Sequence, residues 1–215
     1  MIVEVPVTGV FEENCYFYID ETTHHGFVID PGAQPEKLLN LIRTRGWVLE
    51  KILLTHGHFD HIGAVDEIRT ALNIPVFAHL RSNEYLLDAG KNLSALCGPP
   101  FIVEGAEYLE DGDMIALHSN PECCLKVVYV PGHTTDSVMF YSSKDHIAFV
   151  GDTIFKGSIG NFNYPGGDAR TLQTSIIQRI FSLPEDTVLY SGHSEPTTVG
   201  AEKRRYQISM ENRHE

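Results

Sequence analysis

Two kinds of apolar pattern alternate along the chain. Residues 2–7, 15–19 and 27–29 are short and rich in β-branched and aromatic side chains, the composition of strands. Over residues 35–45, Leu38, Leu39, Leu41 and Ile42 fall on one helical stripe, with Pro35 near its start and Gly46 at its stop, which predicts a helix. Residues 48–54 read as a buried strand, 62–72 as a helix carrying Ile62, Val65, Ile68 and Leu72, 75–78 as a strand and 82–89 as a helix. The stretch 90–105 has weak periodicity and turn formers at Gly98, Pro99 and Pro100, so it reads as a long loop. Strands are expected near 114–118, 125–130, 138–141 and 147–150, followed by a glycine-rich surface loop over 156–168. An amphipathic helix over 171–183, a strand over 187–190 and a charged helix over 201–210 complete the chain. With no linker, repeat or low-complexity tract, residues 1–215 read as one domain. Its element order predicts an α/β fold of two similar halves packed sheet against sheet, with helices outside.

Composition narrows the function classes. Apolar residues make up 42% and charged residues 21%, near globular averages. The formal charge of −13 repels phosphate backbones, so a nucleic-acid partner is not expected. No apolar run reaches the ~18–20 residues of a membrane span, so no membrane partner is expected either. The first 20 residues lack a basic start and are interrupted by Glu4, Glu12 and Glu13, unlike a secretory signal. Cys15, Cys97, Cys123 and Cys124 contain no C-x-x-C pair and suggest neither a disulfide framework nor a thiolate zinc site. A cytoplasmic protein is the expectation; the sequence does not specify an oligomeric state.

Histidine is the unusual entry: 11 of 215 residues, several of them clustered. Directly after the apolar strand ending at Leu54 and Thr55 stands His56-Gly57-His58-Phe59-Asp60-His61. In an extended loop, residues two apart project to one side, so His56 and His58 can share one metal ion. Asp60 and His61 then begin a helix and can face a second ion beside the first, while Gly57 removes a side chain where the loop passes close to metal. Three more strand ends carry a glycine followed by a ligand-type residue: Gly132-His133, Gly151-Asp152 and Gly192-His193. Each alone is more often a cap or turn residue than a ligand. Together they describe one N/O site at one edge of a sheet. His24, His25, His79, His118, His146 and His214 lie outside this pattern and read as surface or core histidines. Asp30 reads either as an acceptor that orients a ligand imidazole or as the cap of an Asp-Pro-Gly turn.

The motif T-H-x-H-x-D-H at 55–61, with P-G-H-T at 131–134, G-D-T at 151–153 and G-H at 192–193, resembles the metallo-β-lactamase-fold hydrolases. Within them, Asp30-Pro31-Gly32, Gly151-Asp152-Thr153-Ile154-Phe155, Gly157-Ser158-Ile159-Gly160 and Pro165-Gly166-Gly167 are similar to the short form of glyoxalase II, the hydroxyacylglutathione hydrolases. The resemblance implies a four-layer αββα sandwich with the metal site at one edge. It implies that His56, His58 and His133 hold one divalent ion, that Asp60, His61 and His193 hold another, and that Asp152 bridges them. Zinc is the first expectation for both ions, with iron or manganese as alternatives. The activity implied is hydrolysis of a small-molecule thioester such as S-lactoylglutathione, with Asp60 both ligating and orienting the nucleophile. Other activities share the ligands: a persulfide dioxygenase with one iron, a lactonase or phosphodiesterase, or a non-catalytic metal-binding module. Two departures bear on substrate recognition. Asn161 stands where the family pattern has a basic residue and is a candidate substrate contact. The chain also ends about 20 residues after His193, too short for the helical region with which long glyoxalase II enzymes hold glutathione. A third departure, Thr135-Asp136 in place of Pro-Gly, adds a carboxylate near the site.

Overall fold

A computed structural model describes residues 1–211. The first half forms a six-stranded sheet in the order β1 (Ile2–Thr8), β2 (Glu12–Ile19), β3 (His25–Ile29), β4 (Val48–Leu53), β5 (Val76–His79), β6 (Glu107–Leu109). The β1–β2 and β2–β3 pairs are antiparallel, and β3 to β6 run parallel. The second half supplies β7 (Met114–Ala116), β8 (Cys124–Tyr129), β9 (Val138–Ser142) and β10 (Ile147–Gly151), then a small hairpin of β11 (Ile154–Phe155) and β12 (Ser158–Ile159), then β13 (Val188–Ser191) and β14 (Thr197–Thr198). Its sheet has the order β14-β13-β10-β9-β8-β7, with β10 and β13 parallel.

Period-two alternation sorts each central strand onto two apolar faces. In β2, Cys15, Phe17 and Ile19 pack outward with Leu38 and Ile42 of α1 (Pro35–Arg45) and, beyond the short α2 (Phe59–Ile62), with Val65 and Ile68 of α3 (Val65–Leu72). Tyr16 and Tyr18 of the same strand face inward, where Phe27, Ile29 and Leu53 meet Val127, Phe140 and Phe149 of the other sheet. Past the one-turn helices α4 (Asn83–Leu86) and α5 (Ser94–Cys97), the second sheet is covered by α6 (Ala169–Ser175), a π-helical turn over Ile176–Ile180, and α7 (Val199–Glu211). Ala148 and Val150 of β10 meet Leu172, Ile176 and Val199 on that side. The result is the four-layer αββα sandwich. Strands buried on both faces explain why the sequence shows continuous apolar runs rather than polar alternation.

Several local expectations are corrected. The helix expected over 62–72 is broken: α2 and α3 are separated at Gly63 and Ala64, because the Ala64 N–H donates to Pro31 O at 2.9 Å. The helix expected over 82–89 is a 3₁₀ turn, Leu80–Ser82, followed by α4, and the expected loop over 90–105 contains α5. The expected loop over 156–168 contains β12, and β6 and β14 are short edge strands that apolar pattern does not reveal. Among the described residues, no helix is long and apolar enough to cross a membrane.

Candidate metal centre

Parallel strands end together, and the loops leaving β4, β8, β10 and β13 meet at one edge of the sandwich. The loop after β4 carries His56 and His58 and runs into α2, which carries Asp60 and His61; His133 follows β8, Asp152 follows β10, and His193 follows β13. All seven expected residues converge here, six of them as two trios of potential ligands, His56, His58 and His133, and Asp60, His61 and His193, with Asp152 beside both; Asp30, His56 and His61 form a further, overlapping group. Close packing forces glycine at two points of the frame. A side chain at Gly57 would put Cβ 2.5 Å from Cβ of Tyr85, so its smallness serves packing against Tyr85, which corrects the expected approach to metal. Gly151 has φ +49° and faces Thr55, whose Oγ1 would lie 2.3 Å from an added Cβ.

The hydrogen bonds behind the histidines fix which ring nitrogen faces the centre. His133 Nδ1 donates to Asn161 O at 2.6 Å, and His193 Nδ1 donates to Glu12 O at 2.7 Å. Asp30 accepts from the Thr55 N–H at 2.7 Å, the Thr55 hydroxyl at 2.5 Å and His61 Nδ1 at 3.0 Å. With its proton given to Asp30, Thr55 Oγ1 accepts from His56 Nδ1 at 3.1 Å. Of the two roles open to Asp30, the structure supports the acceptor that orients an imidazole.

The Nε2 atoms of His56, His61, His133 and His193 are therefore the ones directed at the centre. His58 contributes Nδ1 instead, 3.2 Å from His56 Nε2 and 3.0 Å from His133 Nε2. A proton on His58 Nδ1 would serve these two contacts in turn, whereas a cation takes all three nitrogens at once and leaves that proton to Nε2, which has no partner. A tetrahedral ion with Zn–N bonds of 2.0–2.1 Å sets its nitrogens about 3.3–3.4 Å apart, close to this spacing. In the second trio His193 Nε2 lies 3.2 Å from Asp60 Oδ2. Asp152 stands between the trios: Oδ1 is 3.4 Å from His61 Nε2, and Oδ2 is 3.4 Å from His193 Nε2 and 3.6 Å from His133 Nε2. His61 Nε2 and Asp152 Oδ1 are buried with no hydrogen-bond partner. Orphaned, facing atoms of this kind fit a divalent ion at each trio with the carboxylate shared.

Titration follows the same division. Burial, then the imidazoles of His61 and His58, push His56 well below the ordinary histidine range. Burial and then His133 hold His58 at about 3, and burial lowers His133 as well. In the second trio burial acts in the same direction on His61 and His193, but the carboxylates outweigh it. Asp152 and Asp30 raise His61 well above its usual value, and Asp152 and Asp60 bring His193 to about 10. Burial alone would raise Asp152; His61 and His193 outweigh it and hold the carboxyl well below its ordinary range. The first trio thus offers neutral imidazoles, whereas a cation entering the second displaces protons.

Other residues are placed beside the centre. The Asn161 side chain is exposed and accepts from the backbone N–H of Asn163 at 2.9 Å, while its main-chain carbonyl anchors His133. Asp136 is fully buried beneath Gly57, and burial raises its carboxyl to about 6. Sequence reasoning missed Glu13, buried with Oε1 3.7 Å from His61 Nδ1. It also missed Tyr85, whose hydroxyl accepts from the Thr135 N–H at 3.0 Å and donates to Pro165 O at 3.2 Å, tying two site loops together. Of the remaining histidines, His25 pairs with Glu50, His79 stacks on Tyr129 and His146 pairs with Asp186; His214 lies outside the described residues.

Residues 8–193 match the sequence profile of the Metallo-beta-lactamase superfamily. The chain is 37% identical over 196 residues to the probable metallo-hydrolase YqgX of Bacillus subtilis, covering 91% of each. It is 30% identical over 203 residues to the hydroxyacylglutathione hydrolase GloC of Haemophilus influenzae, covering 93% of each. The fold superposes on the BLEG-1 B3 metallo-beta-lactamase with a TM-score of 0.88 at 33% identity, over 95% of this chain and 97% of that one. For TTHA1623 in a di-iron-bound form the TM-score is 0.79 at 36% identity, over 94% and 98%. With this coverage, and two His/Asp trios at the strand ends, the chain belongs to the metallo-beta-lactamase superfamily, a family of divalent-metal proteins.

Proposed function

We propose that the centre holds two divalent ions, His56, His58 and His133 on one, Asp60, His61 and His193 on the other, with Asp152 shared, and that it hydrolyses thioesters. The observation that carries this reading is the placement of Asp152 between two complete trios. A single-iron oxygenase needs only the first trio, and the intact second one favours hydrolysis. Similarity to GloC, whose name specifies a hydroxyacylglutathione hydrolase, supports the substrate class. Bound at the two trios, divalent cations supply an acidified water and a polarised carbonyl.

The chain's own residues set the direction of approach. His56, His58 and His133 are at most 3% exposed, whereas the side chains of Asp60 and His193 are 12% and 24% exposed. Substrate therefore enters over Asp60 and His193, where the Asp60 carboxylate can accept a proton from the attacking water and hold it in line. Tyr164 stands beside the first trio, its ring 5.8 Å from that of His58. Asp30 and Glu13 touch His61 on its Nδ1 side, away from the facing atoms, so neither is placed to protonate a leaving group. A thiol with a pKa of about 8.5 leaves as thiolate without such help, which an alkoxide does not. The test is a panel of glutathione thioesters, other thioesters, lactones and phosphodiesters with the protein reconstituted with zinc, iron or manganese. Thioester turnover that requires metal is expected; turnover confined to lactones or phosphodiesters would overturn the reading.

A further inference from the structure

A cavity of about 500 Å³ opens beside Asp60, within the range of small-molecule sites. It is lined by Val10 and Phe11 at the tip of the β1–β2 hairpin, by Phe59 of α2, and by Pro100, Ile102 and Val103. The Phe11 and Phe59 rings lie 5.8 Å apart, so the hairpin tip is seated on the ligand-bearing helix. Val10, Phe11 and Ile102 are 57%, 49% and 43% exposed, an apolar rim left to water. The charges bordering it have one sign. Glu13, Asp60, Asp66 and Glu67 line the cavity, and no lysine, arginine or histidine does so among the described residues. Asp66 is engaged by Arg69 at 2.9 Å, but neither oxygen of the buried Glu13 has a hydrogen-bond partner.

We propose that this cavity is the acyl subsite of the enzyme and that it takes an uncharged, apolar acyl chain in preference to a hydroxyacyl or carboxylate-bearing one. The inference rests on the thioester reading above and names the substrate class within it. Asp60 is the one metal-centre residue that lines the cavity, so a chain seated there would adjoin the second trio at its Asp60 edge. Each methylene moved from water into these walls favours binding about fourfold, the equivalent of ~0.8 kcal/mol. A carboxylate on the chain finds no lysine, arginine or histidine in these walls and faces the carboxyl groups of Glu13, Asp66 and Glu67 instead. A hydroxyl next to the carbonyl, as in a lactoyl group, must leave water for apolar walls.

Two measurements on the metal-loaded protein separate this inference from the reaction it rests on. Cys97 lines the cavity and is half-buried, which makes its thiol a reporter of occupancy without turnover. Octanamide is expected to slow alkylation of Cys97 by N-ethylmaleimide at least fivefold, read by peptide mass mapping, without protecting Cys124; octanoate at equal concentration leaves Cys97 unprotected. In the second measurement, kcat/KM is compared for acetyl, butanoyl and hexanoyl thioesters of N-acetylcysteamine, a neutral carrier. A rise of about fifteenfold is expected for each two added methylenes. Ile102→Trp, at an exposed position that tolerates a larger side chain, narrows the cavity and lowers the hexanoyl-to-acetyl ratio at least tenfold. Equal protection by octanoate and octanamide, or none, overturns the cavity's chemistry. Hydrolysis indifferent to chain length overturns its role as acyl subsite. Protection by octanamide without hydrolysis of any thioester supports the cavity's apolar, uncharged preference and overturns the thioester reaction alone.

Discussion

Asp30→Asn tests the mechanism by which the fold aims its ligands. Asp30 sits at φ +49°, a conformation asparagine adopts readily, so the backbone needs no adjustment. The carboxylate's Oδ1 takes the Thr55 N–H, and Oδ2 takes both the Thr55 hydroxyl and His61 Nδ1, at 2.5 and 3.0 Å. In the amide, oxygen keeps the Thr55 N–H and an NH₂ replaces Oδ2. Two N–H groups then face each other at His61, and the ring escapes by carrying its proton on Nε2, the atom 3.4 Å from Asp152 Oδ1. A protonated nitrogen cannot ligate. Restoring the original tautomer sacrifices one charge-assisted hydrogen bond, worth ~1.5–3 kcal/mol, or roughly ten- to a hundredfold in affinity. The same range is typical when a partner of a ligating histidine is removed. The expected outcome is a second ion held ten- to a hundredfold more weakly, with the ion of His56, His58 and His133 less affected. Competition against a chromophoric chelator, with elemental analysis of stoichiometry, measures both. Thermal unfolding of the metal-stripped variant separates a folding defect from lost affinity. Two ions bound with unchanged affinity would refute the argument that Asp30 sets the His61 tautomer.

Asp152→Ala removes the carboxylate between the trios, so metal content as well as turnover should fall; elemental analysis showing both ions retained would end its shared role. Asn161→Arg restores a cation on an exposed loop beside His133 and is expected to lower KM for glutathione thioesters roughly ten- to a hundredfold with little change in kcat, the sign of added uniform binding. No change in KM would place recognition of glutathione elsewhere. Glu50 lies on β4 at the end away from the metal centre, where burial raises its carboxyl but hydrogen bonds from Ser119, His118 and His25 outweigh it and bring it to about 2. Its folded value is below the ordinary 4.5, so its stabilisation is complete above that pH and is lost as pH falls through about 2. Glu50→Gln should remove on the order of 1 kcal/mol at pH 7, solvent screening discounting the full shift, and flatten the urea midpoint between about pH 5 and 2; an unchanged slope there would show the carboxyl is not held.

What was legible in the sequence follows from where the information is written. His56, His58, Asp60 and His61 stand within six residues after an apolar strand, so local pattern alone brings them together. His133, Asp152 and His193 are uninformative one at a time and became a set only because each follows a glycine at a strand end, and parallel strands bring such ends to one edge. The anchors that aim these ligands are a different matter. Glu12 O and Asn161 O are main-chain atoms, which every residue possesses, so no residue type announces them. The break between α2 and α3 depends on Pro31, more than thirty residues earlier, and Gly57 is small for Tyr85, almost thirty residues later. Such contacts exist only once the sheets have stacked, and the same is true of β6 and β14, too short to carry a period of their own. Glu13 is the instructive failure: in the sequence it is an acidic residue at the start of a strand, ordinarily solvated. The fold turns it beneath Gly32 and His61, where its unpaired oxygens line the cavity beside Asp60. The identity of four ligands is therefore local in this chain, whereas ligand orientation and the space left for substrate are tertiary, and it is the tertiary part that should decide which substrate reaches the seven residues.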